Sequence, residues 1–172
     1  MRSRQHVAVG LGFIVLVIAG LGERWIGVAI AQGAQSKEGV TFASAAAIDT
    51  AIAKTAAGTN PTTRLQPDGT YQYYVAARKQ RGSAEIHTQW SDITVIRSGK
   101  GVVRTGQGIT NKRETSPGEW RGDAIPGFVE RTLGPGDLVV IPAGIAHQFA
   151  PVGNDVFGYV TVKVRAQRDS KR

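Results

Sequence analysis

Apolar and polar positions along this chain alternate over short runs broken by glycine and proline, which is the signature of strands and turns rather than of long helices. Tyr71 to Arg78 (YQYYVAAR) has strand composition, and Asp92 to Arg97 (DITVIR) predicts the next strand. Ser98-Gly99-Lys100-Gly101 predicts a hairpin turn into Val102 and Val103. Phe128 to Leu133 is expected as a strand, and Leu138 to Ile141 is a short, wholly apolar run of buried-strand type. The last strand is expected over Val156 to Val164 (VFGYVTVKV), with Val160, Val162 and Val164 on its core face. One helix interrupts the pattern: Ser44 can cap a segment from Ala45 to about Ala56, with Ile48, Ala51, Ile52 and Thr55 on one side and Gly58 as the stop. Thr59 to Gly69 and Gly106 to Gly127 are expected as loops, the second with one short strand near Arg121 to Ile125. Short strands and turns at this spacing argue for an all-β antiparallel sandwich or barrel with a short N-terminal helix.

The N-terminus departs from this pattern. Met1 to Arg4 is a basic start, Val7 to Gly22 is apolar, and Ala29-Ile30-Ala31 has the small-x-small pattern of a cleavage site. Sixteen helical residues span roughly 24 Å against a hydrocarbon layer of roughly 30 Å, which favours a cleaved signal peptide over an uncleaved membrane anchor. Either reading places the domain outside the cytoplasm, in the periplasm or medium. The expected organisation is therefore a leader at 1–31, a tether, helix and loop at 32–70, a β domain at 71–165 and a basic tail at 166–172.

Composition narrows the chemistry. One domain is all that 172 residues allow, and 22 glycines suit many turns. The chain has no cysteine, so any metal must be held by nitrogen and oxygen ligands. The net charge of +8 is dispersed rather than interleaved with aromatics, which argues against nucleic acid as a partner. Glu85, His87 and Gln89 share one strand face, which is either solvent-exposed or lines a polar cavity. His147 follows the rigid Pro142-Ala143-Gly144 corner, where it either pairs with a carbonyl or faces a ligand. Trp120 either folds over the barrel mouth or packs its rim, and Gln89 and Arg121 are the other pocket candidates.

Two spacings carry a family resemblance. Gly136, Pro142, Gly144 and His147 match G-x5-P-x-G-x2-H of the second cupin motif, with Pro151 where the motif ends in asparagine. The segment from Glu85 through His87 and Asp92 to Gly99 is similar to the first cupin motif, H-x-H-x4-E-x6-G. Glu85 stands at its first histidine, Asp92 at its glutamate, and Lys79 at the glycine expected upstream. The resemblance spans about residues 71 to 164 and implies a jelly-roll β-barrel, commonly a homodimer. It also implies a divalent metal (Fe, Mn, Zn or Ni) held by Glu85, His87, Asp92 and His147. On that basis the chain is expected to act on a small polar molecule as an oxygenase, isomerase or lyase. The alternative is a metal-free cupin that only binds a small ligand, its histidines serving as hydrogen-bonding groups.

Overall fold

A computed structural model describes residues 42–66 and 71–166. The expected leader, most of the tether, the end of the Thr59 to Gly69 loop and the basic tail beyond Ala166 lie outside the described residues. Helix α1 (Ala45–Ala57) begins where Ser44 accepts a hydrogen bond from the Ala47 N–H at 3.2 Å. It ends at Gly58, whose backbone is extended rather than left-handed. Among the described residues no helix is long and apolar enough to cross a membrane.

Eleven strands follow: β1 (Thr62–Gln66), β2 (Tyr71–Arg78), β3 (Ala84–His87), β4 (Trp90–Ser98), β5 (Lys100–Gly106), β6 (Arg113–Ser116), β7 (Glu119–Gly122), β8 (Val129–Leu133), β9 (Leu138–Ile141), β10 (Ala146–Val152) and β11 (Phe157–Arg165). They form a five-stranded sheet in the order β1-β2-β11-β4-β9 and a six-stranded sheet in the order β6-β7-β3-β10-β5-β8. The arrangement is a jelly-roll sandwich, and the two sheets are not closed into a continuous barrel. Between them lies a core of Ala76, Ile96, Val103, Leu133, Ile141, Phe149, Phe157 and Tyr159, drawn from both sheets. Helix α1 packs Ala51 and Ile52 on the outer face of the five-stranded sheet, against Val75 and Ala77.

Five expectations change. The Ser98 to Gly101 turn is not a hairpin: β4 and β5 lie in different sheets, and the chain crosses from one to the other through Gly99 at φ +68°. Thr62–Gln66 is an edge strand paired with β2, not loop, because its Thr-Thr-Arg-Leu-Gln run completes the sheet under α1. Within the long segment read as a loop, β6 and β7 form a hairpin, so the short strand is Glu119–Gly122 rather than Arg121 to Ile125. In β11 the core phase is Phe157, Tyr159 and Thr161, while Val160 and Val162 are half-buried on the outer face and Val164 is exposed. The bulkier aromatics win the interior and the valines face α1 and solvent. The β9 run is not buried on both faces: Leu138 and Val140 are 61% and 58% exposed, because β9 is the sheet edge and α1 does not reach it.

Candidate metal centre

Register brings the polar side chains together. His147 on β10 lies directly across from Glu85 on β3, which lies across from Arg121 on β7, and His87 lies across from Glu119. Directly opposed residues share a face. Asp92 reaches the same space from the opposing sheet, where it is paired in register with Lys163 of β11. A corner holds the two motifs together: the Gly144 N–H donates to the His87 carbonyl at 2.8 Å, and the Ala143 N–H donates to Ser91 Oγ at 3.1 Å. Gly144 has φ +86°, a left-handed value that a side chain at this corner would strain.

The two imidazoles, each 3% exposed, have ring centroids 5.0 Å apart. His87 Nδ1 is 2.5 Å from Glu119 Oε2, and His147 Nδ1 lies 3.1 Å from the Ile145 carbonyl. These contacts turn both Nε2 atoms inward. His87 Nε2 lies 3.4 Å from Glu85 Oε2 and 3.6 Å from Asp92 Oδ2. His147 Nε2 lies 4.0 Å and 3.7 Å from the same two oxygens. The ligand atoms of Glu85, His87 and His147 all fall within 4.8 Å of one another. Ion-to-ligand bonds of about 2.0–2.2 Å put donors of one ion roughly 3–4 Å apart, so this spacing fits a single cation. His87 Nε2 is buried without a hydrogen-bond partner, an expensive state for a polar atom that a cation would relieve. Lys163 Nζ stands 3.0 Å from Asp92 Oδ1, an ion pair without hydrogen-bond direction at that oxygen.

Burial and neighbouring charges together shift the two imidazoles in opposite directions. Burial alone would raise the Glu85 carboxyl, but the adjacent His87 imidazole and the charges of Arg121 and the two histidines outweigh it and hold it well below the usual carboxylate range. Burial lowers His147 and keeps it neutral, as a metal ligand must be. Burial also opposes the charged form of His87, yet Glu119 and Glu85 raise it on balance. Glu119, which burial would raise, is lowered mainly by His87.

Arg78 and Tyr159 form the end of the cavity, with Arg78 Nε donating to the Tyr159 hydroxyl at 2.6 Å. Burial pushes that hydroxyl up from 10.0 to about 12, against the opposing pull of Arg78. The unfolded chain therefore releases this proton from about pH 10 while the folded chain keeps it, so the stability present below pH 10 is lost as pH rises through 12. The loss expected for the wild type is on the order of 2 kcal/mol more than for Tyr159→Phe. Urea midpoints measured from pH 9 to 12 would show parallel curves for the two proteins if this is wrong.

Against solved structures, the chain is similar to BH2720 from Bacillus halodurans (TM-score 0.50, 16% identity, 68% of this chain and 79% of that one). It is similar to the same extent to hydroquinone 1,2-dioxygenase from Sphingomonas sp. TTNP3, determined with 4-hydroxybenzoate bound (TM-score 0.50, 13% identity, 68% of this chain and 73% of that one). The chain has the cupin fold. A Cupin 2 conserved barrel domain protein from Salinispora arenicola CNS-205 also matches, at TM-score 0.44 and 16% identity over 61% of this chain and 75% of that one. No family model matches the sequence. No curated protein matches it either.

On this cupin frame Glu85, His87, Asp92, His147 and Arg121 line one cavity of about 150 Å³ between the sheets. Gln89 and Trp120 do not line it. Gln89 falls in the bend after β3 ends, where it approaches Arg165, so the spacing by two breaks before reaching it. Trp120 points to the outer face of its sheet, opposite Ile86, and packs with Ala84, Ile86, Ile125 and Ala146. Glu119, Lys163, Arg78 and Tyr159 also line the cavity and were not singled out by the sequence pattern. Glu119 and Arg121 alternate on β7, and Tyr159, Thr161 and Lys163 alternate on β11, so the period-two signal was present but masked by a loop assignment and by the valines.

Proposed function

We propose that this chain is an exported, metal-dependent cupin that holds one divalent cation with Glu85, His87 and His147, Asp92 beside them. It acts there on a small polar molecule by oxygenation, isomerisation or elimination. The observation that carries this reading is the buried, unpartnered Nε2 of His87 facing three further donors. A divalent ion supplies Lewis acidity, and two histidines with one carboxylate are also the donor set of oxygen-activating non-haem iron. Fe(II), Mn(II), Zn(II) and Ni(II) all accept these ligands.

The protein's own groups have distinct tasks. Glu119 orients His87, the Ile145 carbonyl orients His147, and Lys163 holds Asp92 in place. Glu85, kept ionised, is suited to ligation rather than to taking up a proton. Phe149 and Tyr159 give the cavity an apolar wall. Export is supported by the basic start and apolar run of the leader. A homodimer is supported by the exposed Leu138, Val140 and Val164, and light scattering that shows only monomer would remove it.

Protein purified without an affinity tag is expected to carry about one equivalent of metal by elemental analysis. Glu119→Gln should weaken metal affinity about 10–100-fold, because it removes the group that orients His87. Wild-type protein that stays metal-free after dialysis against each of the four ions would sink the reading. A second reading, a metal-free ligand-binding cupin, is favoured by one feature: Arg78, Arg121 and Lys163 already balance Glu85, Asp92 and Glu119 around the cavity. It predicts identical melting with and without a chelator.

A further inference from the structure

A second void of about 590 Å³ opens beside the cavity, between the end of α1, β1 and the 79–83 loop. Thr62, Arg78, Glu85 and Arg121 line both, so the two spaces adjoin across these four residues. The larger void is lined by four cations, Arg78, Lys79, Arg81 and Arg121, against the single carboxylate of Glu85. Glu85 is already engaged with the histidines. Among the described residues no carboxylate lies within ion-pair distance of Lys79 or Arg81. Arg121 is 3.6 Å from Glu85 and 3.7 Å from Glu119, too far for hydrogen bonds, and its one close partner is the Trp120 carbonyl at 3.1 Å. Its planar fork therefore keeps donors that a carboxylate can take.

The loop that carries Lys79 and Arg81 is held in place, with both side chains exposed. The Gly82 N–H donates to the Phe149 carbonyl at 3.0 Å and Gln148 Nε2 donates to the Gly82 carbonyl at 2.8 Å, which pins the 79–83 loop to β10. The Arg78 guanidinium packs against that loop, in space that a Cβ at Gly82 would fill. A group fixed before the ligand arrives loses less freedom on binding.

We infer that this cleft is the recognition half of the ligand site and that the ligand is a small organic carboxylate. Its carboxylate lies against Arg121, with Lys79 and Arg81 at the mouth, and its other end enters the cavity between the sheets. The inner space of about 150 Å³ limits that end to roughly one small ring or a short aliphatic chain. Placing the far end at Glu85, His87 and His147 rests on the metal-dependent reading above; the charge of the cleft does not. The two fit together, because side-chain charges around the cavity are balanced and a divalent ion would leave an excess that an anionic ligand offsets.

The test is calorimetric titration of the full chain, metal-free and manganese-loaded, with acetate, benzoate and succinate, their neutral amides, and inorganic phosphate. At least one carboxylate is expected to bind the metal-free protein, with its amide and phosphate each at least about ten-fold weaker. Arg121→Gln and the double variant Lys79→Gln/Arg81→Gln should each weaken that carboxylate about ten-fold. The double variant should retain wild-type metal content and melting temperature, which separates lost recognition from lost folding. Amides that bind as well as acids, phosphate that binds tighter than every carboxylate, affinity unchanged in both variants, or no binding across the panel would each overturn the inference. Carboxylate binding by a chain that never takes up metal would leave the cleft standing and remove the metal reading. Metal uptake without charge discrimination would do the reverse.

Discussion

Manganese(II) or zinc(II) added to the metal-free chain is expected to raise its melting temperature by about 10 °C, and either His87→Ala or His147→Ala should abolish that rise. An ion that binds only the folded state at about a hundred times its dissociation constant stabilises by roughly 2.7 kcal/mol, which sets the size of the shift. Both imidazoles should be needed, because their inward Nε2 atoms are the only nitrogen donors among the residues lining the cavity, apart from cationic Arg and Lys. The control is the metal-free melting of each variant, since each replacement also removes a buried ring. A rise that survives in both variants would place the ion elsewhere on the protein.

Phe157→Ala is expected to destabilise the chain by about 3–5 kcal/mol, the range for deleting a large aromatic from a packed interior. Phe157 is fully buried at 0% exposure, and its ring packs against Phe149 and Tyr159 at centroid distances of 6.4 and 5.3 Å. On another side it fills the room that Gly101 leaves: a Cβ there would stand 2.5 Å from the ring's Cε1. Gly101→Ala should therefore cost about 1–3 kcal/mol in the wild type and much less alongside Phe157→Ala. Denaturant midpoints of the two single variants and the double variant check this. Additive losses would mean that the ring and the glycine do not share the space.

Much of this was legible because local chemistry and final structure agree. Ser44 capped α1, the Tyr71 to Arg78 run became β2, and the Gly136 to His147 spacing marked the corner that sets His147 beside His87. The misreadings share a cause: hydrophobicity reports that a face is covered but not which face encloses the site. In β11 the valines gave the more regular apolar series, yet the interior holds Tyr159, Thr161 and Lys163, whose polar ends need the cavity. In β9 the apolar run hid a sheet edge, because burial of Leu138 and Val140 depends on what α1 covers and not on their own chemistry. Glu119 stayed invisible for a different reason: only the β3–β7 register places it across from His87.

Asp92 and Lys163 stand on one sheet, and Glu85, His87 and His147 stand on the other. The three donors already meet on adjacent strands of one sheet, and only closure of the sandwich brings Asp92 against them, so an ion that also draws on Asp92 acts as a late clasp. It should slow opening of the folded chain while leaving the rate of its formation almost untouched.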